Sequence, residues 1–260
     1  MIHSIRRKTA ICILSLPLLA GSSLANTLFY DDFPGTALDF GKWTVVSFTD
    51  VPHSVSGGQL TIGVDGWHHF NGVRTIENFN FHQSPIITTV DLATFNEPTV
   101  WADKEDPMSA ELRFAIGPAS NRDQSFSSDP TVAGFGFAIR WRPGSQLDLY
   151  GAAVPIPATD ISGIPDVVSF RVDATSFWIT LEGATFTSGP SAGTNTLSGT
   201  HELGAYDDYN FLLLQELRGY LHESEAVINS VTIIPEPSTY AAVLGLMALA
   251  GMLVHRRRMR

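Results

Sequence analysis

Short segments in which apolar and polar residues alternate follow one another along the 260-residue chain. Alternation over about four to eight residues, with many Val, Ile, Phe, Thr and Trp, is typical of β-strands that bury one face. No convincing stretch of about ten residues has the periodicity of an amphipathic helix. The pattern predicts ten strands, at 45–51, 59–64, 85–92, 110–117, 134–142, 146–151, 167–173, 176–183, 210–217 and 226–234.

Clusters of Gly, Pro, Ser, Asn and Asp separate these segments and indicate turns, and residues 188–199 are predicted to be a loop. Many strands without intervening helices favour an antiparallel β-sandwich or jelly roll over a parallel α/β sheet. The predicted fold class is therefore all-β. Alternation along the strands assigns six residues to the core: Phe135, Phe137, Ile139, Trp141, Phe170 and Ile179.

The N-terminal residues 1–25 have the composition of a secretory signal peptide. Arg6, Arg7 and Lys8 form a basic start, residues 9–20 are apolar, and small residues precede Asn26. This pattern predicts export through the inner membrane, with cleavage before Asn26.

Residues 235–260 combine a Pro-Glu-Pro start, an apolar stretch at 240–254 and a basic end. As a helix, the apolar stretch spans about 23 Å, which is less than the ~30 Å hydrocarbon core, so the predicted transmembrane segment is a marginal anchor. Arginines at its end keep the C-terminus cytoplasmic. The residues of the two flanking motifs are Pro235, Glu236, Pro237, Arg256, Arg257, Arg258 and Arg260.

This tail resembles the PEP-CTERM sorting signal of Gram-negative bacteria that produce exopolysaccharide. The resemblance implies that exosortase, a membrane-embedded protease-like enzyme, cuts near the Pro-Glu-Pro motif. Contact with the inner membrane through 240–254 would then be transient, and the protein would reach the cell surface or the extracellular matrix. The predicted mature domain is the β-sandwich at 26–234.

The start of this domain shows a second resemblance. Residues 28–47, "LFYDDFPGTALDFGKWTVVS", and residues 55–63, "VSGGQLTIG", are similar to the first strands of concanavalin A-like, laminin-G-type jelly rolls. The resemblance implies a hairpin near the end of the domain and a closing strand, which "FRVDATSFWITLEG" and "AVINSVTI" match in pattern. A generic β-sandwich is the alternative.

The net charge of the predicted mature domain indicates which classes of partner it can bind. Removing both predicted signals leaves nine basic and 25 acidic residues, a formal charge of −16, and such a surface repels nucleic acid. Cys12 lies in the signal peptide, so no disulfide is predicted in the mature domain. No cofactor is predicted apart from a structural calcium ion, which prefers oxygen ligands. The candidate ligands are Asp31, Asp32, Asp103, Glu105 and Asp106.

The strand at 134–142 suggests a binding face. Opposite its core side, Arg140 and Arg142 stand beside Gly134, Gly136 and Ala138, and the small residues predict open space under planar donors for sugar hydroxyls. The alternative is a solvated sheet face with weak cross-strand ion pairs. The predicted ligand face comprises Glu111, Arg113, Arg140, Arg142, Arg171 and Asp173.

Catalysis has less support. Glucanases with this type of jelly roll carry Glu-x-Asp-x-x-Glu on one strand, which the sequence lacks. Near Glu111, Pro107 interrupts strand continuity, and Arg113 would lower the pKa of the Glu111 carboxyl. We therefore predict a non-catalytic, polysaccharide-associated protein. A divergent glycoside hydrolase or lyase and a purely structural matrix protein are the alternatives.

Overall fold

A computed structural model describes residues 28–49, 51–66, 69–100, 109–118, 134–151, 156–204, 209–219 and 221–236. The predicted signal peptide at 1–25 and the predicted transmembrane segment at 240–254 lie outside these ranges. Within the described residues, no helix has the length and apolar character needed to cross a membrane.

The regular elements of the described residues are β-strands. They are β1 (Phe29–Asp31), β2 (Trp43–Phe48), β3 (Ser54–Ser56), β4 (Gln59–Val64), β5 (Phe70–Thr75), β6 (Ile86–Phe95), β7 (Thr99–Val100), β8 (Ser109–Gly117), β9 (Phe135–Arg142), β10 (Gln146–Gly151), β11 (Ile156–Asp160), β12 (Val167–Val172), β13 (Ser176–Glu182), β14 (Thr196–Thr200), β15 (Asn210–Arg218), β16 (Leu221–His222) and β17 (Ser224–Pro235).

Two large sheets form an antiparallel sandwich, which confirms the all-β class. The eight-stranded sheet has the order β14-β13-β12-β6-β17-β4-β3, and β1 pairs with β17 off this path. The seven-stranded sheet has the order β11-β10-β9-β8-β15-β5-β2, while β16 and β7 form a separate short ladder. Neighbours in both sheets are often far apart in sequence, because β17 and β15 return to pair with strands of the first half of the chain.

The ten predicted strands are confirmed, with ends that differ by up to three residues. Strand β5 escaped prediction because Asn71, Gly72 and Arg74 break its apolar alternation. Gly72 is small for a packing reason, since a Cβ atom there would lie 2.3 Å from the carbonyl oxygen of Leu213 on β15.

The predicted loop at 188–199 is wrong in its last part, where Thr196–Thr200 form β14. Gly199 and the polar composition suggest a turn, but β14 is an edge strand that pairs with β13 alone. Edge strands tolerate such residues because they are buried on few sides.

One apolar core lies between the two large sheets; it contains five of the six predicted residues, and Trp141 packs against it. Phe137 is completely buried; its ring stacks on Phe114 and meets Phe170 edge-on, both at centroid distances of 5.3 Å. Trp141 is only partly buried, and its indole N–H donates to the Phe95 carbonyl at 3.1 Å.

The central strands β8 and β15 are also buried on their other side, here called the outer face, which looks away from the core. A small apolar cluster of Ala115, Leu212 and Leu214 covers part of this face. The same face of these strands also carries four charged residues, Glu111, Arg113, Glu216 and Arg218. Because a buried charge is costly unless it is paired, these residues must find partners on neighbouring strands.

Candidate functional site

The register of β8, β9 and β10 brings the charges of the outer face together. Glu111 is directly opposite Arg140, and Arg140 is directly opposite Asp148. Arg140 donates two parallel hydrogen bonds to Asp148, from Nε at 2.9 Å and from Nη2 at 2.7 Å. Bidentate pairs of this kind fix the plane of the guanidinium group as well as its position.

A second arginine extends this arrangement to the edge of the sheet. Arg142 contacts Asp148 through Nε at 3.0 Å and Asp160 on β11 through Nη2 at 2.5 Å. The ring of Tyr150 lies under the Arg140 guanidinium, 4.2 Å from ring centroid to Cζ. We call these five residues the arginine patch: Arg140, Arg142, Asp148, Tyr150 and Asp160.

The arginine patch is accessible through its arginines. Asp148 is fully buried, whereas the side chains of Arg140 and Arg142 are 21% and 33% exposed. Arg140 binds Asp148 through Nε and Nη2, and Arg142 approaches Asp148 through Nε and donates to Asp160 through Nη2. The hydrogen bond to Asp148 raises the pKa of Arg140, which keeps that guanidinium charged. The patch therefore presents fixed, charged donors beside an aromatic ring.

A glutamate–arginine cluster lies next to the patch and consists of Glu111, Arg113, Glu216 and Arg218, of which Arg218 alone is exposed. Nη2 of Arg113 is 2.7 Å from a carboxylate oxygen of Glu111 and 2.7 Å from one of Glu216. Arg218 approaches the same two carboxylates at 3.4 Å and 3.3 Å. Arg113 and Glu111 are only 2% and 1% exposed, so a ligand could not reach them directly.

Burial alone would raise the pKa of Glu111, but the charges of Arg113 and Arg218 outweigh it and the pKa is lowered. Burial, reinforced by Glu111, raises the pKa of the Tyr150 phenol, which stays protonated and bonds to that carboxylate. An ionised, inaccessible glutamate cannot act as the proton donor that glycoside cleavage requires.

The predicted open space beside the arginines is absent. Gly134, Gly136 and Ala138 are buried, and a Cβ atom on Gly134 would lie 2.2 Å from the Ile116 carbonyl oxygen on β8. Gly134 is thus small because the β8 backbone passes close to it. The exposed approach to Arg142 is instead from the turn at Gly144 and Ser145 and from Asp160.

The structure divides the predicted ligand face between the two sheets. Glu111, Arg113, Arg140 and Arg142 do share the outer face of the seven-stranded sheet. Arg171 lies on β12 of the eight-stranded sheet, and Asp173 follows that strand. Because β12 turns its apolar residues toward the common core, Arg171 and Asp173 face the opposite side of the sandwich, and grouping them with the others was wrong.

Sequence reasoning missed Asp148 and Tyr150, although a signal for them exists. They alternate with the apolar Leu147 and Leu149, and the short turn after Arg142 sets the register that places Asp148 opposite Arg140. Asp160 was missed because β11 was not predicted. Glu216 and Arg218 had no local signal, since β15 meets β8 from about a hundred residues away.

Two of the five predicted calcium ligands, Asp31 and Asp32, are among the described residues, where no group of three or more candidate metal ligands occurs. Asp31 is buried, and its two carboxylate oxygens accept hydrogen bonds from the Trp43 indole at 2.6 Å and the Phe33 amide at 2.9 Å. These N–H partners do not fit a calcium ligand. Asp32 is exposed, and Asp103, Glu105 and Asp106 lie outside the described residues.

The predicted sorting signal is described only at its beginning. Pro235 is the last residue of β17, and Glu236 follows it. Pro237, Arg256, Arg257 and Arg258 lie outside the described residues.

Comparison with known proteins gives no family assignment. No family model matches the sequence, and no curated protein matches it. Among solved structures, the winged bean acidic lectin complexed with methyl-α-D-galactose has a TM-score of 0.47 at 13% identity, over 80% of this chain and 98% of that one. The lectin from Bauhinia forficata in complex with GalNAc has a TM-score of 0.47 at 9% identity, over 81% and 98%. An endo-1,3-β-glucanase from Streptomyces sioyaensis has a TM-score of 0.45 at 12% identity, over 80% and 95%.

Proposed function

We propose that this chain is an exported cell-surface or matrix protein whose concanavalin A-like sandwich binds extracellular polysaccharide without cleaving it. The observation that carries the binding proposal is the arginine patch. Two partly exposed guanidinium groups are held by the buried carboxylate of Asp148, and the Arg140 guanidinium packs against the Tyr150 ring. Planar donors next to an aromatic ring suit a hydroxyl-rich ligand.

We propose binding without catalysis because Glu111 is not available as a proton donor. This carboxylate is paired, buried and ionised, and Glu216 shares the same arginine nitrogen. Both carboxylates therefore bind Arg113, and the pair with Glu216 links β8 to β15. The glutamate–arginine cluster packs next to the arginine patch and has a structural role. Arg142 and its exposed neighbours make the contacts with the sugar.

Replacing Arg142 with glutamine should weaken polysaccharide binding by about 1.5–3 kcal/mol, because hydrogen bonds from charged donors have about that value. The free energy of unfolding should change by less than about 1 kcal/mol, since Arg140 still pairs with Asp148. Binding would be measured by calorimetry with a polysaccharide selected on a glycan array.

Two further variants control this experiment. Lys42→Gln removes a positive charge of similar exposure (38%, against 33% for Arg142) just before β2, at the far edge of the seven-stranded sheet, and should leave binding unchanged. Arg140→Ala should cost about 1–3 kcal/mol of stability, because it removes the bidentate partner of a buried carboxylate. Equal affinities of the wild type and Arg142→Gln would contradict binding by the patch and favour a purely structural matrix role.

We further propose that residues 235–260 are an exosortase sorting signal. The support is the order of Pro-Glu-Pro, apolar stretch and arginines, together with the predicted signal peptide at the other end. The precursor would be held in the inner membrane of a Gram-negative cell, and the processed protein would be released to the surface or matrix.

Protein recovered from a host that contains exosortase should have lost both ends. Its intact mass should correspond to a start near Asn26 and to loss of the C-terminal arginines. In a host without exosortase the same chain should keep its tail and fractionate with the inner membrane. An intact C-terminus ending at Arg260 in the first host would contradict the sorting proposal.

A further inference from the structure

The last strand of the sandwich extends into the Pro-Glu-Pro motif. Strand β17 pairs with β6 as far as Pro235, which is opposite Ile86. The backbone N–H of Glu236 then donates to the Pro85 carbonyl at 2.8 Å. The folded sheet therefore includes Pro235, one residue beyond the predicted boundary at 234, and Glu236 is hydrogen-bonded to the residue that precedes β6.

The side chain of Glu236 is held as well. Nη2 of Arg171 is 2.6 Å from a carboxylate oxygen of Glu236, and Nη1 of the same arginine is 2.7 Å from Asp173. The Arg171 guanidinium also packs over the Trp178 ring, with Cζ 4.4 Å from the ring centroid. We call Arg171, Asp173, Trp178 and Glu236 the Glu236 latch.

Contacts that do not involve Glu236 orient Arg171 toward that residue. Asp173 accepts hydrogen bonds from the backbone of Thr175 and Ser176 and from the Ser176 hydroxyl, at 2.9, 2.7 and 2.7 Å. Burial alone would raise the pKa of Asp173, but these bonds and Arg171 lower it, so the carboxylate stays ionised. With one edge fixed by Asp173 and one face on Trp178, Arg171 directs its Nη2 group to the end of β17.

We propose that Arg171 slows the processing of the C-terminal segment by positioning Glu236, an inference that rests on the proposed sorting function. It holds Glu236, the second residue of the Pro-Glu-Pro motif, against the sheet. Backbone that is hydrogen-bonded in a sheet is a poor protease substrate until it opens locally. Recognition of the complete Pro-Glu-Pro motif therefore requires the latch to open, and the latch slows processing of the folded precursor.

Hydrogen exchange of the full chain in detergent micelles tests the latch without any sorting enzyme. Arg171→Gln and Glu236→Gln each remove the ion pair from one side. Both should accelerate exchange of the Glu236 amide by about two- to fivefold, the value expected for a partly exposed ion pair. Arg171→Lys keeps the charge and should restore much of the protection. Arg142→Gln, on the opposite sheet, should have no effect there.

The same variants, expressed in a host with exosortase, test the consequence by pulse-chase measurement of tail removal. Arg171→Gln should be processed about two- to fivefold faster than the wild type, with Arg171→Lys in between. Unchanged exchange would overturn the latch itself. Faster exchange with unchanged processing would overturn the positioning role and leave the sorting proposal intact. A wild-type chain that is never processed would refute both proposals.

Discussion

Replacing Arg113 with methionine is expected to lower the free energy of unfolding by about 3–5 kcal/mol, because it leaves buried carboxylates without their main partner. Arg113 is 2% exposed and is the one side chain that contacts both Glu111 and Glu216 at 2.7 Å. Methionine fills a similar volume, so the loss reports on charge more than on packing. Urea unfolding followed by tryptophan fluorescence would measure it.

Arg218→Met is the matched control. It removes a charge that faces the same two carboxylates, but its side chain is 46% exposed and the contacts are longer. Its expected cost is less than about 1 kcal/mol. A similar loss in both variants would mean that burial does not set the strength of these pairs.

The pH dependence separates charge from packing. In the wild type, the pKa of Glu111 lies below its unfolded value, so the stability that it contributes is present at neutral pH and is lost as pH falls through the folded pKa. In Arg113→Met, burial acts with less opposition and should raise that pKa. The deficit of the variant should therefore shrink between pH 7 and about 4. A constant deficit would indicate lost packing.

Replacing Phe137 with alanine should cost about 3–5 kcal/mol, because the cavity would lie at the centre of the core. Phe137 is completely buried and contacts aromatic rings of both sheets, Phe114 on β8 and Phe170 on β12. Equilibrium urea unfolding would measure the loss.

Phe48→Ala controls for the loss of a phenyl ring as such. Phe48 is 64% exposed on the edge strand β2, where its ring contacts Phe70. Its replacement should cost less than about 1 kcal/mol. If Phe137→Ala were equally mild, the two sheets would not pack as described.

The sequence predicted those features that depend on local pattern. Alternation alone assigned Phe135, Phe137 and Ile139 to the core, because side chains on a strand point to alternate faces. The Pro143-Gly144 turn could also have provided the β9–β10 register, since a short connection forces antiparallel neighbours into fixed opposition. Most of the arginine patch could therefore have been predicted from the local sequence.

Features that depend on pairing between strands far apart in sequence could not be predicted from the local pattern. Nothing near Arg171 shows that β12 belongs to the other sheet, and its alternation would be the same in either. Glu216 joins Glu111 only because β15 lies next to β8. Burial of the ion pairs could not be predicted either. Pairs that would be solvated on a surface strand are enclosed here, and Glu111 and Asp148 are therefore structural residues.

Polysaccharide binding by the arginine patch is the main functional proposal for this protein. It is tested most directly by NMR titration of the isotopically labelled protein with an oligosaccharide of the polysaccharide selected on the array. We predict that the shifted amides cluster at the ends of β9, β10 and β11, around Arg142 and Asp160, and that Arg142→Gln abolishes the shifts at equal ligand concentration. Shifts confined to the opposite sheet around Trp178, or unchanged by Arg142→Gln, would contradict the account.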